Sequence, residues 1–164
     1  MTGLTADKLN LSVKRIGVDE IKLVICLFNQ YRVFYNQPSD LTLADCFLTD
    51  RLQNNESVIF VAVNKVGDEY LPVGFTQLYP KYSSMRAVKN WILNDLYVEA
   101  SYRKKGIGNT LIATAVDFAK ANNAKFVQLE TATDNYTAQS LYESVGFIKQ
   151  APDTEFIMYR KSVD

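Results

Sequence analysis

Apolar positions change their spacing several times along the chain, and each change marks an expected element. Residues 11–16 alternate well enough for an opening strand with one buried face. Over residues 19–35 the apolar Ile21, Val24, Ile25, Phe28 and Tyr35 fall three, four and seven apart, the period of a helix. Leu23, Leu27, Val33 and Phe34 occupy its other side, so this helix is expected to be buried on more than one side or to line a pocket. Pro38 stops it, and Ser39 and Asp40 are suited to cap a second helix that runs to about Asn54.

Residues 57–64 (SVIFVAVN) read as a strand. The polar turn at Gly67 and Asp68 joins it to a second strand, 71–79, as a hairpin. A third long strand covers 87–98 and ends in WILNDLYV. After a polar loop, EASYRKKG, a helix is predicted over 107–122, with Ile107, Leu111, Ala115, Phe118 and Ala119 on one face. A short strand (125–130), a short helix (136–145) and Gly146 as a left-handed cap follow. Two strands, 147–150 and 155–160, are expected to close the chain around a turn at Pro152 and Asp153. This order predicts a mixed α+β fold. Its centre is a mostly antiparallel sheet of six to seven strands, flanked by about four helices, with one parallel crossover in the second half. Residues 1–10 are expected to form a flexible N-terminal extension and 11–164 a single domain, which suits a chain of 164 residues.

Composition narrows the chemistry. Lys plus Arg and Asp plus Glu both number 18, so no global field draws the chain to nucleic acid or to a membrane, and neither is an expected partner. With no histidine, Ser-His-Asp and Cys-His catalysis and the usual zinc sites are excluded, and no metal is expected. Cys26 and Cys46 both sit in helical apolar patterns and are expected to be packed thiols in a reduced, cytoplasmic setting. The first ten residues lack the basic and apolar regions of a signal peptide, and no run approaches the roughly 20 apolar residues of a membrane span.

The segment richest in chemistry is Arg103, Lys104, Lys105, Gly106, Ile107, Gly108, Asn109 and Thr110, where a strand hands over to a helix. Free N–H groups and the positive end of the helix dipole make such a place an anion site. Gly106 and Gly108 let the backbone approach an oxygen closely, and three cations precede them. The pattern is neither the Walker loop nor the three-glycine dinucleotide fingerprint. A nucleotide pyrophosphate is a natural ligand, while a solvated basic loop is the plain alternative.

Arg-x-x-Gly-x-Gly after a strand ending Asn94-Asp95-Leu96-Tyr97-Val98 resembles the coenzyme A pyrophosphate signature of the GNAT superfamily of N-acetyltransferases. TATDNYTAQSLYESVGF (131–147) resembles that superfamily's second signature, with Asn135, Tyr142 and Gly146-Phe147 in place. The order of elements matches from about residue 11 onward, and WILNDLYVEASYRKKGIG is most similar to the branch of polyamine and yeast histone-and-polyamine acetyltransferases.

The resemblance implies acetyl-coenzyme A as co-substrate, with no metal, and direct transfer of acetyl to a primary amine on a small molecule or a peptide. A non-catalytic acyl-coenzyme A sensor is the alternative. It implies that the backbone of Leu96, Tyr97 and Val98 pairs with the pantetheine arm, with a backbone N–H there, that of Val98, polarising the thioester carbonyl. Asn135 and Tyr142 lie seven residues apart, on one helix face that the resemblance turns toward the coenzyme. Tyr142 is then the acid for the departing sulfur: a phenol of pKa about 10 can protonate a thiolate whose conjugate acid is near 8.5. Asn135 also suits a plain N-cap.

Asn94 stands where the polyamine branch would carry a glutamate, so the usual base is missing. Asp95, Glu99 and Glu130 are carboxylates that could act through water, the amine could arrive neutral, and a purely structural role for Asp95 stays open. The acceptor is expected between the first two helices and the loop at 79–86, where Phe28, Tyr31, Phe34, Tyr35, Tyr79 and Tyr82 concentrate aromatic rings. The apolar terminal segment TEFIMYR suggests a homodimer through strand pairing.

Overall fold

The computed structural model describes residues 9–152 and 154–163. The chain divides into two compact units, one ending at Glu130 and the other beginning at Thr131.

The first unit is built on a five-stranded sheet in the order β1 (Leu11–Ile16), β2 (Val58–Val66), β3 (Glu69–Ser83), β4 (Val88–Val98), β5 (Val127–Gln128). The first four strands are antiparallel meander neighbours and β5 lies parallel to β4. Helix α3 (Ile107–Ala121) makes the long connection that a parallel pair requires. The hairpin between β2 and β3 turns on Gly67 and Asp68, and Gly67 takes a φ of 61° at the first central position. Of the expected N-terminal extension, residues 1–8 lie outside the described residues. Asn10 is bound at the sheet edge: its N–H donates to Asn64 Oδ1 at 3.0 Å and its carbonyl accepts from the Lys65 N–H at 2.9 Å.

One sheet face is covered by α1 (Ile25–Phe34) and α2 (Leu41–Gln53). Val24, Leu27, Phe28, Ala44 and Leu48 pack there on Ile59, Val61, Val63, Phe75 and Tyr97. Each such large side chain contributes about 1.5–3 kcal/mol when fully buried. The other face meets α3, where Phe118 packs against Phe60 at 5.5 Å and Trp91 at 5.0 Å between ring centres. Asp40 begins α2 as expected, its Oδ1 accepting from the Leu43 N–H at 2.9 Å, a cap worth about 1 kcal/mol. The buried Asn29 ties α1 to that start, accepting from the Asp40 N–H and donating to Ser39 Oγ.

Two expectations change in this unit. The long first helix is two pieces, a 3₁₀ segment (Val18–Leu23) and α1, joined at the fully buried Val24. The apolar period continues through the junction, which hid it. Cys26 and Cys46 are exposed rather than packed. The buried stripes run through Val24, Leu27 and Phe28 on one helix and Ala44 and Leu48 on the other, and each cysteine lies off its stripe.

The second unit contains α4 (Tyr136–Ser144), started by Asn135, whose Oδ1 accepts from the Ala138 N–H at 3.2 Å. It ends in a Schellman cap: Gly146, at φ 94°, donates to Glu143 O and Phe147 donates to Tyr142 O at 3.0 Å. The two closing strands are not formed. Residues 147–150 and 155–160 join no ladder among the described residues, and Phe156, Ile157, Met158 and Tyr159 are exposed. The sheet therefore counts five strands rather than six to seven. An apolar run becomes a strand only where an edge pairs with it. The expected turn at Pro152 and Asp153 falls partly outside the described residues, since Asp153 does.

Candidate active site

The site grows from the C-terminal half of β4. At the start of the strand the buried Asn90 holds the chain entering β5, its Oδ1 accepting from the N–H groups of Lys125 (2.8 Å) and Phe126 (3.2 Å). Trp91 and Ile92 then pair with Val127 and Gln128, and the parallel ladder stops. From Leu93 to Val98 the strand remains paired with β3, but among the described residues of the first unit no strand pairs with its other edge.

Alternation decides which groups face that open edge. Glu99 N–H donates to Val73 O at 2.9 Å, so residues 99 and 97 turn their polar groups toward β3. Leu96 and Val98 turn theirs outward. Immediately beyond, α3 begins at Gly106, which takes a φ of 81° and caps the helix without a side chain. The first-turn N–H groups thus remain for an anion, and no acidic residue stands in that turn. Arg103, Lys104 and Lys105 are exposed beside it, as are Asn109 and Thr110, whereas Ile107 is buried and anchors the turn from below. Lys104 adopts a φ of 59°, so the loop bends through two left-handed positions before the helix.

Arg103 is oriented. Its Nε donates to the outward Val98 carbonyl at 2.9 Å, and its guanidinium lies 5.9 Å from the ring centre of Phe34 and 5.7 Å from that of Tyr97. Burial raises the Tyr97 phenol above its usual range, with Glu99 adding to the rise and Arg103 opposing it.

A second cluster lies on the sheet face covered by α1. Asp95 pairs in register with Gln77 while Leu78 pairs with Leu93, so Asn94 is the extra residue of a β-bulge. Leu93 and Asp95 are both buried and Asn94 between them is exposed. The Asn94 amide reaches back to donate to Asp95 Oδ1 at 3.0 Å. Asp95 is only 3% exposed, and burial pushes its carboxyl up to about 6 against the hydrogen bonds of Tyr31 and Asn94. Gln77, fully buried, donates through Nε2 to the Tyr79 hydroxyl. The Tyr79 phenol is pushed up to about 12, mainly by burial and next by the Asp95 charge.

Of the acceptor residues expected from sequence, the structure brings together Phe28, Tyr31, Tyr35 and Phe34 as a chain of ring contacts at 5.0–6.2 Å between centres. Tyr79 reaches the same cluster through Gln77 and Asp95. Tyr82 does not join them: it sits on the α3 face, 69% exposed, with Lys89 5.6 Å above its ring. In the second unit Asn135 is the N-cap of α4, and Tyr142, two turns on, packs edge-on to Phe147 at 6.0 Å.

Sequence reasoning passed over Gln77, Thr76 and Gly74. Thr76 Oγ1 donates to the Asp95 carbonyl at 2.8 Å, and a Cβ on Gly74 would meet the Tyr97 carbonyl oxygen at 2.8 Å. A glycine inside a strand pattern is the signal for such a close approach.

Comparison with known proteins agrees with this geometry. Residues 24–147 match the profile of the acetyltransferase (GNAT) family. The chain is similar to the uncharacterized N-acetyltransferase YhfO of Bacillus subtilis, 42% identical over 149 residues, which are 91% of this chain and 95% of that one. It is similar to the crystal structure of a probable acetyltransferase, with a TM-score of 0.82, 34% identity and coverage of 93% and 98%. An aminoglycoside N-acetyltransferase solved in complex with CoA shares the fold, with a TM-score of 0.74 at 18% identity over 96% and 99% of the two chains.

Proposed function

The chain belongs to the GNAT acetyltransferase family, whose co-substrate is acetyl-coenzyme A, and from that premise we propose that it moves acetyl directly onto a primary amine of a small molecule or of a protein lysine or N terminus. The observation that carries this reading is the open edge of β4, where Leu96 and Val98 turn peptide groups outward beside a helix start capped by glycine alone. These two features fit the two polar parts of the coenzyme. Leu96 and Val98 suit the amides of the pantetheine arm. The first turn of α3, with Lys104, Lys105, Asn109 and Thr110 around it, suits the pyrophosphate.

The residues then divide the work. Val98 N–H donates to the thioester carbonyl as that oxygen gains charge. Asp95, through a water beside the exposed Asn94, takes the proton of the acceptor ammonium. The neutral nitrogen forms the new C–N bond as the C–S bond breaks, and Tyr142 gives its proton to the departing sulfur; the nitrogen's second proton leaves to solvent, from which the Tyr142 phenolate is reprotonated. Phe34 and Tyr35 offer ring faces to a cationic acceptor. Neither cysteine neighbours Asp95 in sequence or shares its strand, which favours direct transfer over an acetyl-cysteine.

The deciding experiment is thiol release from acetyl-coenzyme A with polyamines, amino acids, aminoglycosides and lysine peptides, with the products identified by mass. Acetylation of an amine nitrogen in any class supports the reading, and no release above the amine-free rate across all four contradicts it.

We further propose a homodimer that uses the exposed apolar run Phe156, Ile157, Met158 and Tyr159. Light scattering at micromolar concentration should give twice the chain mass, and a monomer would remove the claim.

A further inference from the structure

The sheet face under α1 holds one carboxylate in a dry setting, and its partners explain how it could remain useful there. Tyr31 falls on the α1 stripe of Leu27 and Phe28, four and three residues after them. Three ring contacts fix it: near-parallel to Phe28 at 6.2 Å, and edge-on to Tyr35 at 5.0 Å and Phe75 at 6.1 Å. Phe75 and Gln77 are successive residues on the same side of β3, and Gln77 stands opposite Asp95. A ring seated on Phe75 therefore carries its hydroxyl toward Asp95, whose charged form it favours as a donor.

We propose that Tyr31 is the positioning residue of Asp95: α1 delivers its hydroxyl onto the buried carboxylate, and this bond keeps the carboxylate ionised and aimed for the acceptor's proton. The inference rests on the reading of Asp95 as base given above. A carboxylate gains from each donor that bonds its charged form, whereas burial favours the neutral acid. Asn94 is the second donor, but it is exposed on a bulge, while Tyr31 is held by packing on three sides. Other titratable groups on this face are Tyr79 from β3 and Tyr97 from β4, with Lys14 of β1 and Lys81 of β3 farther along it. Arg51 of α2 and Glu56, an ion pair, act on Tyr79. Asp95 Oδ2 has no hydrogen-bond partner among the described residues and is the oxygen left to take the proton.

The test reads Asp95 directly, by ¹³C resonances of its side-chain carboxyl in the full chain without coenzyme, assigned by the signal lost in Asp95→Asn. Tyr31→Phe keeps every ring contact and removes one donor. The midpoint of Asp95 should rise by about one pH unit. The acid limb of kcat/KM, measured with the best amine of the panel, should move by the same amount while coenzyme A affinity stays within twofold. Incorporation of 3,5-difluorotyrosine at position 31, a stronger donor in the same shape, should lower the midpoint and settles the matter if the Phe variant does not fold. An unmoved midpoint in either folded variant overturns the role of Tyr31 whatever the turnover. Full turnover with an intact acid limb in Asp95→Asn overturns the base reading, and the catalytic part of this inference with it.

Discussion

Arg103 spends its Nε on the carbonyl of Val98, 2.9 Å away, and so links the turn before α3 to the last residue of β4, the strand proposed to face the coenzyme. Its guanidinium is also flanked by Phe34 and Tyr97, which joins α1 to the same point. A planar fork does both at once, and an ammonium cannot.

Arg103→Lys should therefore weaken coenzyme A binding by about tenfold or more, or 1.4 kcal/mol, although the charge is retained. Lys104→Ala and Lys105→Ala should each cost less, and their cost should shrink with added salt, as expected of exposed charges. Calorimetric titration compares the three. Equal losses for Arg103→Lys and Lys104→Ala would reduce Arg103 to a charge.

Asp95 supplies a stability test with a definite sign. Its native carboxyl is pushed up to about 6 from an ordinary value of 3.8, so the folded chain binds that proton more tightly than the unfolded chain does. Stability is then highest at acid pH and falls as pH rises through the window of about 4 to 6, by on the order of 3 kcal/mol in all. Asp95→Asn should abolish this slope, raise stability at pH 8 and remove the acid limb of turnover. Denaturant unfolding at pH 4.5 and pH 8 checks it, and a wild type equally far from Asp95→Asn at both pH values would contradict it. A base kept at the expense of stability is a familiar balance in active sites.

Tyr142→Phe keeps the ring and its edge-on contact with Phe147 while deleting one proton donor. Turnover should fall by about 10²-fold at near-constant coenzyme affinity, with kcat and kcat/KM falling together. The loss should shrink with a thioester of a more acidic thiol. Wild-type turnover in the Phe variant would return Tyr142 to packing.

Much of this was legible in the residues, and the reasons differ by element. The antiparallel strands, α2 and α3 declare themselves by alternation or by a helical stripe with a fitting cap at Asp40 or Gly106. The turn proposed to hold phosphate stood out because its glycines and cations are contiguous. The bulge at Asn94 was not, since a register slip belongs to two strands and no single strand carries its mark. Gln77 was hidden for the same reason, as was the relation of Tyr31 to Asp95, although Tyr31 itself stood out as an aromatic of the acceptor region. Tyr82 was misplaced with Tyr79 because the odd spacing between them puts them on opposite faces. The closing strands misled in the other direction, since their apolar content is real but meets no edge among the described residues.

The central claim, that the turn from Arg103 to Thr110 holds the coenzyme's pyrophosphate, is tested most directly by calorimetric titration of coenzyme A into wild type and Gly108→Val. Gly108 follows the buried Ile107 in the first turn of α3, where a β-branched side chain would crowd the N–H groups offered to the phosphates. The account predicts that the variant folds, with an unchanged circular dichroism spectrum, and binds coenzyme A at least about tenfold more weakly. A folded Gly108→Val that binds coenzyme A as tightly as wild type would contradict it.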